Sequence, residues 1–331
     1  MRGATIRDVA RRAQVSVATV SRTLNRVENV SEETRNRVAE AVRELGYVPH
    51  AGARSLSLAR TNAIGVVLPD LHGEFFSEIV RGMDREASRR GYLLLLSNMH
   101  AGGEQAALAL QAMRGRVDGL IVMAPHLSSD ELSAALPEQL PAILVNTREG
   151  SGRRPSIRLD NRAGARAVVE HLVGLGRKRI VHISGPSTNI DAQERAEAFR
   201  ASATSHRVDF EIVDGDFQEE SGRSAIERLL RAGVRFDAVF ASNDEMAIGT
   251  IQALRNNGFR VPQDVAVAGF DDIPLARHLG LTTVCVRIAQ LGELAVARLM
   301  SEIGGLTDSA HDLHLPELIV RSSSAPAAGA P

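Results

Sequence analysis

Val17, Ala18, Ser21, Arg22 and Asn25 fall at i, i+1, i+4, i+5 and i+8, a spacing that places them on one face of a short helix. Val20 and Leu24 point the other way. Small apolar groups, hydroxyls, an amide and a guanidinium on one face can meet base edges and phosphates. Such a face needs support, and the preceding residues offer it. Ser16 is placed to cap this helix. Before it, Ile6, Val9, Ala10 and Ala13 recur at i, i+3, i+4 and i+7, the apolar stripe of an earlier helix. Thr5 caps that first helix, with Asp8 in its acidic first turn, close to a capping box. Gln14-Val15 interrupts the pattern. Two short helices so spaced read as a helix-turn-helix whose second helix enters a DNA major groove. The spacing alone equally suits two core helices of a larger domain.

Charge favours the first alternative. Residues 1–60 hold eleven arginines and no lysine against six carboxylates, whereas the rest of the chain carries 28 basic and 34 acidic residues. A whole-chain charge of −1 therefore hides a basic head on an acidic body, which suits a polyanion partner for the head. A third helix from Ser31, with Glu32 and Glu33 at its start and Val38, Val42 and Leu45 on one face, completes the head. Gly46 and Pro49 end it. The Ala- and Ser-rich stretch 50–60 is too short for an independent helix in water. It reads as a linker, or as a hinge that folds when DNA supplies contacts. In that case Leu56 is an apolar wedge at a base step and Ala53 permits close minor-groove approach.

A chain of 331 residues suits two or three domains. Its single cysteine, Cys285, excludes an internal disulfide framework, and its strand-like setting suits a buried thiol. The histidines lack an H-x₃-H metal spacing, and neither GxGxxG nor GxxxxGK[ST] occurs. No apolar run approaches the ~20 residues that span a bilayer. The N-terminus has no signal-peptide core. A cytoplasmic location without membrane, metal or cofactor is expected.

From Ala63 the pattern alternates strand and helix. Short apolar runs at Ala63–Leu68, Tyr92–Leu96, Gly119–Met123 and Ala142–Val145 read as buried parallel strands. A second set follows at Ile180–Ser184, Phe210–Val213, Ala238–Ala241 and Val265–Phe270. Thr282–Val286, a helix near Leu291–Ile303 and a strand at Leu315–Val320 close the series. The expected fold is α/β, with two doubly wound units in series behind an all-α head. The Ser-, Ala- and Pro-rich end, 322–331, is expected to be disordered.

In this order, TIRDVA…VSVATVSRTLN, ARSL, SNDEMAIG, GFRVPQDVAVAGFDDIP, LTTV and PELIVRSS resemble the lactose-repressor (LacI/GalR) family of bacterial transcription regulators over nearly the whole chain. The resemblance implies a helix-turn-helix domain at 1–49, a hinge helix at 50–60 and a two-lobed, periplasmic-binding-protein-like effector domain at 61–321. Lobe 1 would take 61–158 and 288–315, and lobe 2 would take 160–285 and 316–321. It also implies a homodimer on a near-palindromic double-stranded operator. By position, Val17, Ala18 and Arg22 would read base edges, with Arg22 bidentate on a guanine. Ser16, Thr19, Ser21 and Asn25 would mostly hold phosphates, Thr5 would join the DNA-binding set, and Ala53 and Leu56 would serve the hinge. Gln14 replaces the usual Gly or Asn of the turn; at positive φ it would cost roughly 1 kcal/mol.

The cleft between the lobes would hold a small effector, a sugar first. Open α/β sheets bind ligands at the carboxyl ends of their strands. The loops there bring Asp70, Phe75, Phe76, Asn146, Arg195, Phe217, Asn243 and Asp271. Aromatic faces suit a sugar ring, and carboxylates, amides and a guanidinium suit its hydroxyls. By resemblance Arg195, Asn243 and Asp271 contact the effector, and the three phenylalanines wall the cleft. Taken singly, Asp244 and Asp272 read as helix caps. Gly73-Glu74, Asn146-Thr147 and Val286-Arg287 depart from the family pattern, which leaves the ligand's identity open between a sugar, a purine and a sugar phosphate. The other function classes are a cytoplasmic solute-binding protein, opposed by the basic head, and a two-carboxylate glycosidase, for which no spacing singles out a pair.

Overall fold

A computed structural model describes residues 4–24, 30–47, 60–99, 103–148, 154–306 and 311–325. The chain divides into two compact units, 1–61 and 62–331.

In the first unit, α1 (Ile6–Ala13), α2 (Val17–Leu24) and α3 (Glu32–Leu45) bury Val9, Ala10, Ala13, Val20, Val38 and Ala41 in one small core. The capping box at α1 is complete: the Thr5 hydroxyl oxygen accepts from Asp8 N–H, and the Asp8 carboxylate accepts from Thr5 N–H. The Thr5 bonds hold the Asp8 carboxyl below its ordinary range. Gln14 ends α1 in the left-handed region at φ 54°, so the strain foreseen for a non-glycine in this turn is present. Asn25 and the hinge, but for Arg60, lie outside the described residues.

The second unit is built on two six-stranded sheets. The first sheet contains β1 (Ala63–Leu68), β2 (Leu93–Asn98), β3 (Gly119–Met123), β4 (Ala142–Val145), β5 (Ser156–Leu159) and β11 (His311–His314), all parallel, ordered β11-β5-β4-β3-β1-β2. The second contains β6 (Arg179–Ile183), β7 (Asp209–Val213), β8 (Ala238–Ala241), β9 (Ala266–Asp271), β10 (Thr282–Cys285) and β12 (Glu317–Ile319), ordered β12-β10-β9-β8-β6-β7, with only β12 antiparallel. Strands β1, β3, β4, β8 and β9 are buried throughout, as their unbroken apolar runs require. The chain passes between sheets after β5, after β10 and between β11 and β12.

The first sheet is covered by α4 (Glu74–Arg89), α5 (Gly103–Met113), α6 (Ser129–Ala135) and α12 (Ile288–Ile303). The second carries α7 (Asn161–Gly174), α8 (Ile190–His206), α9 (Glu219–Arg231), α10 (Asp244–Asn256) and α11 (Pro274–His278). Helices α4 and α12 touch backbone to backbone: a Cβ on Gly82 would lie 1.9 Å from the Ala289 carbonyl oxygen. This contact ties the returning helix α12 to the first lobe.

Three sequence expectations need correction. Strands β5 and β11 were not foreseen, because SIRL and HDLH are short and polar. The last strand runs only over Glu317–Ile319. In the tail expected to be disordered, Ser323 and Ser324 are buried and hydrogen-bonded to Thr282. Strand β12 pairs with β10 only from Thr283 onward, so the backbone at Thr282 needs other partners. Ser323 supplies them: its hydroxyl accepts from Thr282 N–H at 2.8 Å and donates to the Val267 carbonyl at 2.7 Å. Among the described residues no helix is long and apolar enough to cross a membrane.

Candidate functional site

In the first unit the outward face of α2 exposes Val17, Ala18 and Arg22, while Val20 is buried beneath them. Thr19 and Ser21 lie at the edge of that face, half-buried. Ser16 caps α2 by accepting from Thr19 N–H at 3.0 Å, and the two hydroxyls meet at 2.8 Å. The Ser16 oxygen, one of those expected to hold phosphates, is thus already used to start the helix. Arg11 and Arg12 pair with Asp8 and Glu44. Asn25, Ala53 and Leu56, also expected to face DNA, lie outside the described residues.

In the second unit a cleft opens between the two sheets at the carboxyl ends of β1, β3, β4, β8 and β9. Phe75, Phe76, Asn146, Arg195, Phe217, Asn243 and Asp271 all line it, seven of the eight residues expected there. Asp70 is not among the lining residues: its carboxylate turns back to accept from Leu71 and His72 N–H at 2.7 and 3.1 Å, closing a local turn. The cleft also gathers His72, Asn189, Asp191, Gln218 and Glu245, which were not foreseen. Asn189 caps α8 and Asp191 follows in its first turn, so both read from sequence as ordinary capping residues.

Arg195 is the anchor. It is buried on α8, with Nε donating to Asn161 Oδ1 at 2.8 Å and Nη1 to the Ser242 carbonyl at 2.6 Å. Its guanidinium lies 3.7 Å from the centre of the Phe270 ring, and Nη2 stands 3.8 Å from Asp271 Oδ1. Burial pushes the Asp271 carboxyl up to about 7 against the pull of Arg195. Burial likewise raises Asp191, which accepts from Asn161 Nδ2 at 2.7 Å.

Asn243, besides lining the cleft, has a structural part. Its Oδ1 accepts from Met246 N–H at 3.0 Å as the cap of α10, and its Nδ2 donates to the Phe217 carbonyl at 2.8 Å. It therefore positions Phe217, held at φ 71°. A Cβ on Gly185 would fall 2.3 Å from the Phe217 ring, so that glycine makes room for it. Asp244 and Asp272, by contrast, are not caps of the helices they begin or precede. Buried Asp244 accepts from the Thr283 hydroxyl and from Ile273 N–H, tying α10 to β10 and α11. Asp272 pairs with Arg321 at 2.6 Å and Arg277 at 3.4 Å.

One polar group of the cleft wall, and its neighbour in the chain behind it, are left without a partner. Among the described residues, Asn146 Oδ1 is buried without a hydrogen-bond partner, on backbone held at φ 46°, and Thr147 Oγ1 beside it is in the same position. Buried acceptors are rarely left so, and strained backbone gathers at ligand sites. Phe75 and Phe76 stand edge to face, centroids 5.3 Å apart, on the same side.

A basic three-helix head with an exposed reading face, and a two-lobed body with a polar, aromatic-walled cleft, define a ligand-responsive DNA-binding regulator. The chain belongs to the lacI family of bacterial regulatory proteins: residues 5–50 match "Bacterial regulatory proteins, lacI family" and residues 169–324 match "Periplasmic binding protein-like domain". It is 36% identical over 330 residues to the ribose operon repressor of Escherichia coli K12, covering 97% of this chain and all of the relative. It is 32% identical to catabolite control protein A of Priestia megaterium, covering 95% and 97% of the two chains. A lac repressor dimer solved with operator and the anti-inducer ONPF superposes with a TM-score of 0.89 at 30% identity, over 98% of this chain and 99% of that one. A LacI-family regulator from Enterococcus faecium with bound ribose gives 0.72 at 25% identity, over 80% and 99%.

Proposed function

We propose that this regulator is a homodimeric repressor of carbohydrate-utilisation genes, with Val17, Ala18 and Arg22 reading operator bases. Its cleft takes a monosaccharide inducer, a pentose such as ribose first. The observation that carries the sugar is the pairing of flat apolar walls with fixed polar groups. Phe75, Phe76 and Phe217 offer ring faces, Arg195 and Asp271 offer a buried donor–acceptor pair, and Asn146 Oδ1 waits for a donor. A sugar hydroxyl both donates and accepts and so serves all three. The relatives named for ribose point the same way. Asp191 and Glu245 already accept from Asn161 Nδ2 and Glu74 N–H, which supports binding without catalysis.

Dimerisation is supported by edge strand β2 and helix α5, which expose Leu93, Leu95, Leu96 and Leu108, Leu93 by 72%. Contiguous exposed apolar side chains mark association surfaces. Ligand would shift lobe closure, and closure would shift the paired hinges, by the 1–3 kcal/mol typical of such coupling, about 5- to 150-fold. Thermal denaturation with D-ribose, other monosaccharides, purines and sugar phosphates tests the ligand class. At 100 times its Kd the correct ligand stabilises the fold by about 2.7 kcal/mol. Stabilisation by a purine alone would overturn the sugar reading.

A further inference from the structure

Helix α4 begins at Gly73, in lobe 1, at φ 89°, and has no side-chain cap of its own. Helix α11 begins after Ile273, in lobe 2, and likewise has none. Each has its exposed N–H met from the opposite lobe. Glu245 of lobe 2 accepts from Glu74 N–H at 3.3 Å, and Glu74 of lobe 1 accepts from Leu275 N–H at 2.9 Å. Gly73 permits the approach: a Cβ there would lie 2.2 Å from Glu245 Oε1.

We infer that Glu74 and Glu245 form an interlobe latch that favours the closed cleft by crossed capping of two helices.

The place of the pair in the two sheets gives it leverage. The lobes are joined by crossovers at β5, β10 and β11. Glu74 follows β1, three strands from β5, which at ~4.8 Å per strand is about 14 Å from the nearest crossover of that sheet. Glu245 follows β8, two strands from β10. A small hinge rotation must therefore break both bonds. Among the described residues, bonds from Ile190 N–H to the Pro125 carbonyl at 2.9 Å and from Arg148 Nη2 to the Thr188 carbonyl at 3.4 Å also cross the cleft, and Arg158 meets Glu194 at 2.7 Å beside the β5 crossover. In the first sheet the first two leave β3 and β4, nearer the β5 crossover than β1, so there the glutamate pair lies outermost; in the second they meet the segment after β6, one strand beyond β8. Both glutamates are half-buried, and burial pushes the Glu245 carboxyl above its ordinary range while the Glu74 N–H draws it down.

The test is a nitroxide–nitroxide distance across the mouth of the full-length, spin-diluted protein without added sugar. Labels go at Glu104→Cys in lobe 1 and Asp214→Cys in lobe 2, both exposed, in a Cys285→Ser background. Glu74→Pro removes both bonds at once, and proline is well tolerated at the first position of a helix. Glu245→Ala removes one. Each is expected to raise the open-to-closed ratio, Glu74→Pro by roughly tenfold and Glu245→Ala by roughly threefold. The double variant should match Glu74→Pro, and Glu245→Gln, which keeps an acceptor, should stay near the reference. An unchanged distance distribution in folded Glu74→Pro would overturn the latch. Should that variant not fold, an unchanged distribution in Glu245→Ala would do the same. Neither result bears on which ligand the cleft takes.

Discussion

Arg195 and Asp271 face each other at 3.8 Å with side chains only 5% and 7% exposed, the guanidinium stacked on Phe270. The pair is buried but not tightly closed, and Asp271 sits at φ 115°, a backbone region that non-glycine residues seldom adopt. Arg195 spends its other donors on Asn161 and on the Ser242 carbonyl, so its orientation is fixed before any ligand arrives. Preorganisation of this kind lowers the cost of binding.

Arg195→Lys should therefore fail as a conservative change. A lysine keeps the charge but cannot hold the Asn161 oxygen and the Ser242 carbonyl together while stacking flat on Phe270. We expect loss of ligand-induced stabilisation and a fold weakened by about 1–3 kcal/mol, read by urea denaturation with and without ligand. Wild-type ligand response in this variant would remove Arg195 from the site.

Asp271 makes stability depend on pH in a direction unusual for a carboxylate. Its folded value, about 7, lies above that of the unfolded chain. Between roughly pH 4 and 7 the native state thus holds a proton that the unfolded state has lost, and stability falls as pH rises through this window. Above it both states are ionised and the slope vanishes. Buried His182, pushed down to about 3, acts oppositely, since the unfolded chain protonates below about 6.5 and stability is lost as pH falls. Comparison with Asp271→Asn cancels the histidines. The variant should be more stable than wild type at pH 8, on the order of 2 kcal/mol, with the difference vanishing toward pH 4. A difference that grows toward acid would contradict the assignment.

Ser323→Ala should behave as a core substitution although it lies in a Ser-, Ala- and Pro-rich stretch. It leaves Thr282 N–H without its partner and the Val267 carbonyl without a donor. The expected cost is about 1–3 kcal/mol in thermal or urea unfolding. A change within experimental error would mean that the terminal segment does not brace β9 and β10.

The limits of sequence reading fall along the same contacts. The exposed face of α2 was legible because helical period alone sorts Val17 and Arg22 from Val20. Strands β1, β3, β4, β8 and β9 were legible because burial on both faces demands unbroken apolar runs. Strands β5 and β11 were not, since they are short and carry Arg158, His311 and Asp312. The cleft phenylalanines and Arg195 were found through strand ends and resemblance together. Glu245 was missed because its partner is 171 residues away in the chain, and Asp70 was overread because a carboxylate after a strand can as readily close its own turn. Ser323 was misjudged from composition, which records that serine is polar but not that a strand nearby lacks a hydrogen-bond partner.

Operator binding by the full-length protein, followed by fluorescence anisotropy at physiological salt, is the most direct test. The duplexes are a near-palindrome enriched from a random library and a scrambled control. The expected result is a preference of at least ~10³ for the palindrome, weakened by the sugar that stabilises the fold. Arg22→Ala should lose about 1–3 kcal/mol of that preference per half-site while scarcely changing affinity for the control. Equal affinity for both duplexes, with and without every sugar tried, would contradict the assignment of the head as a sequence reader governed by the cleft.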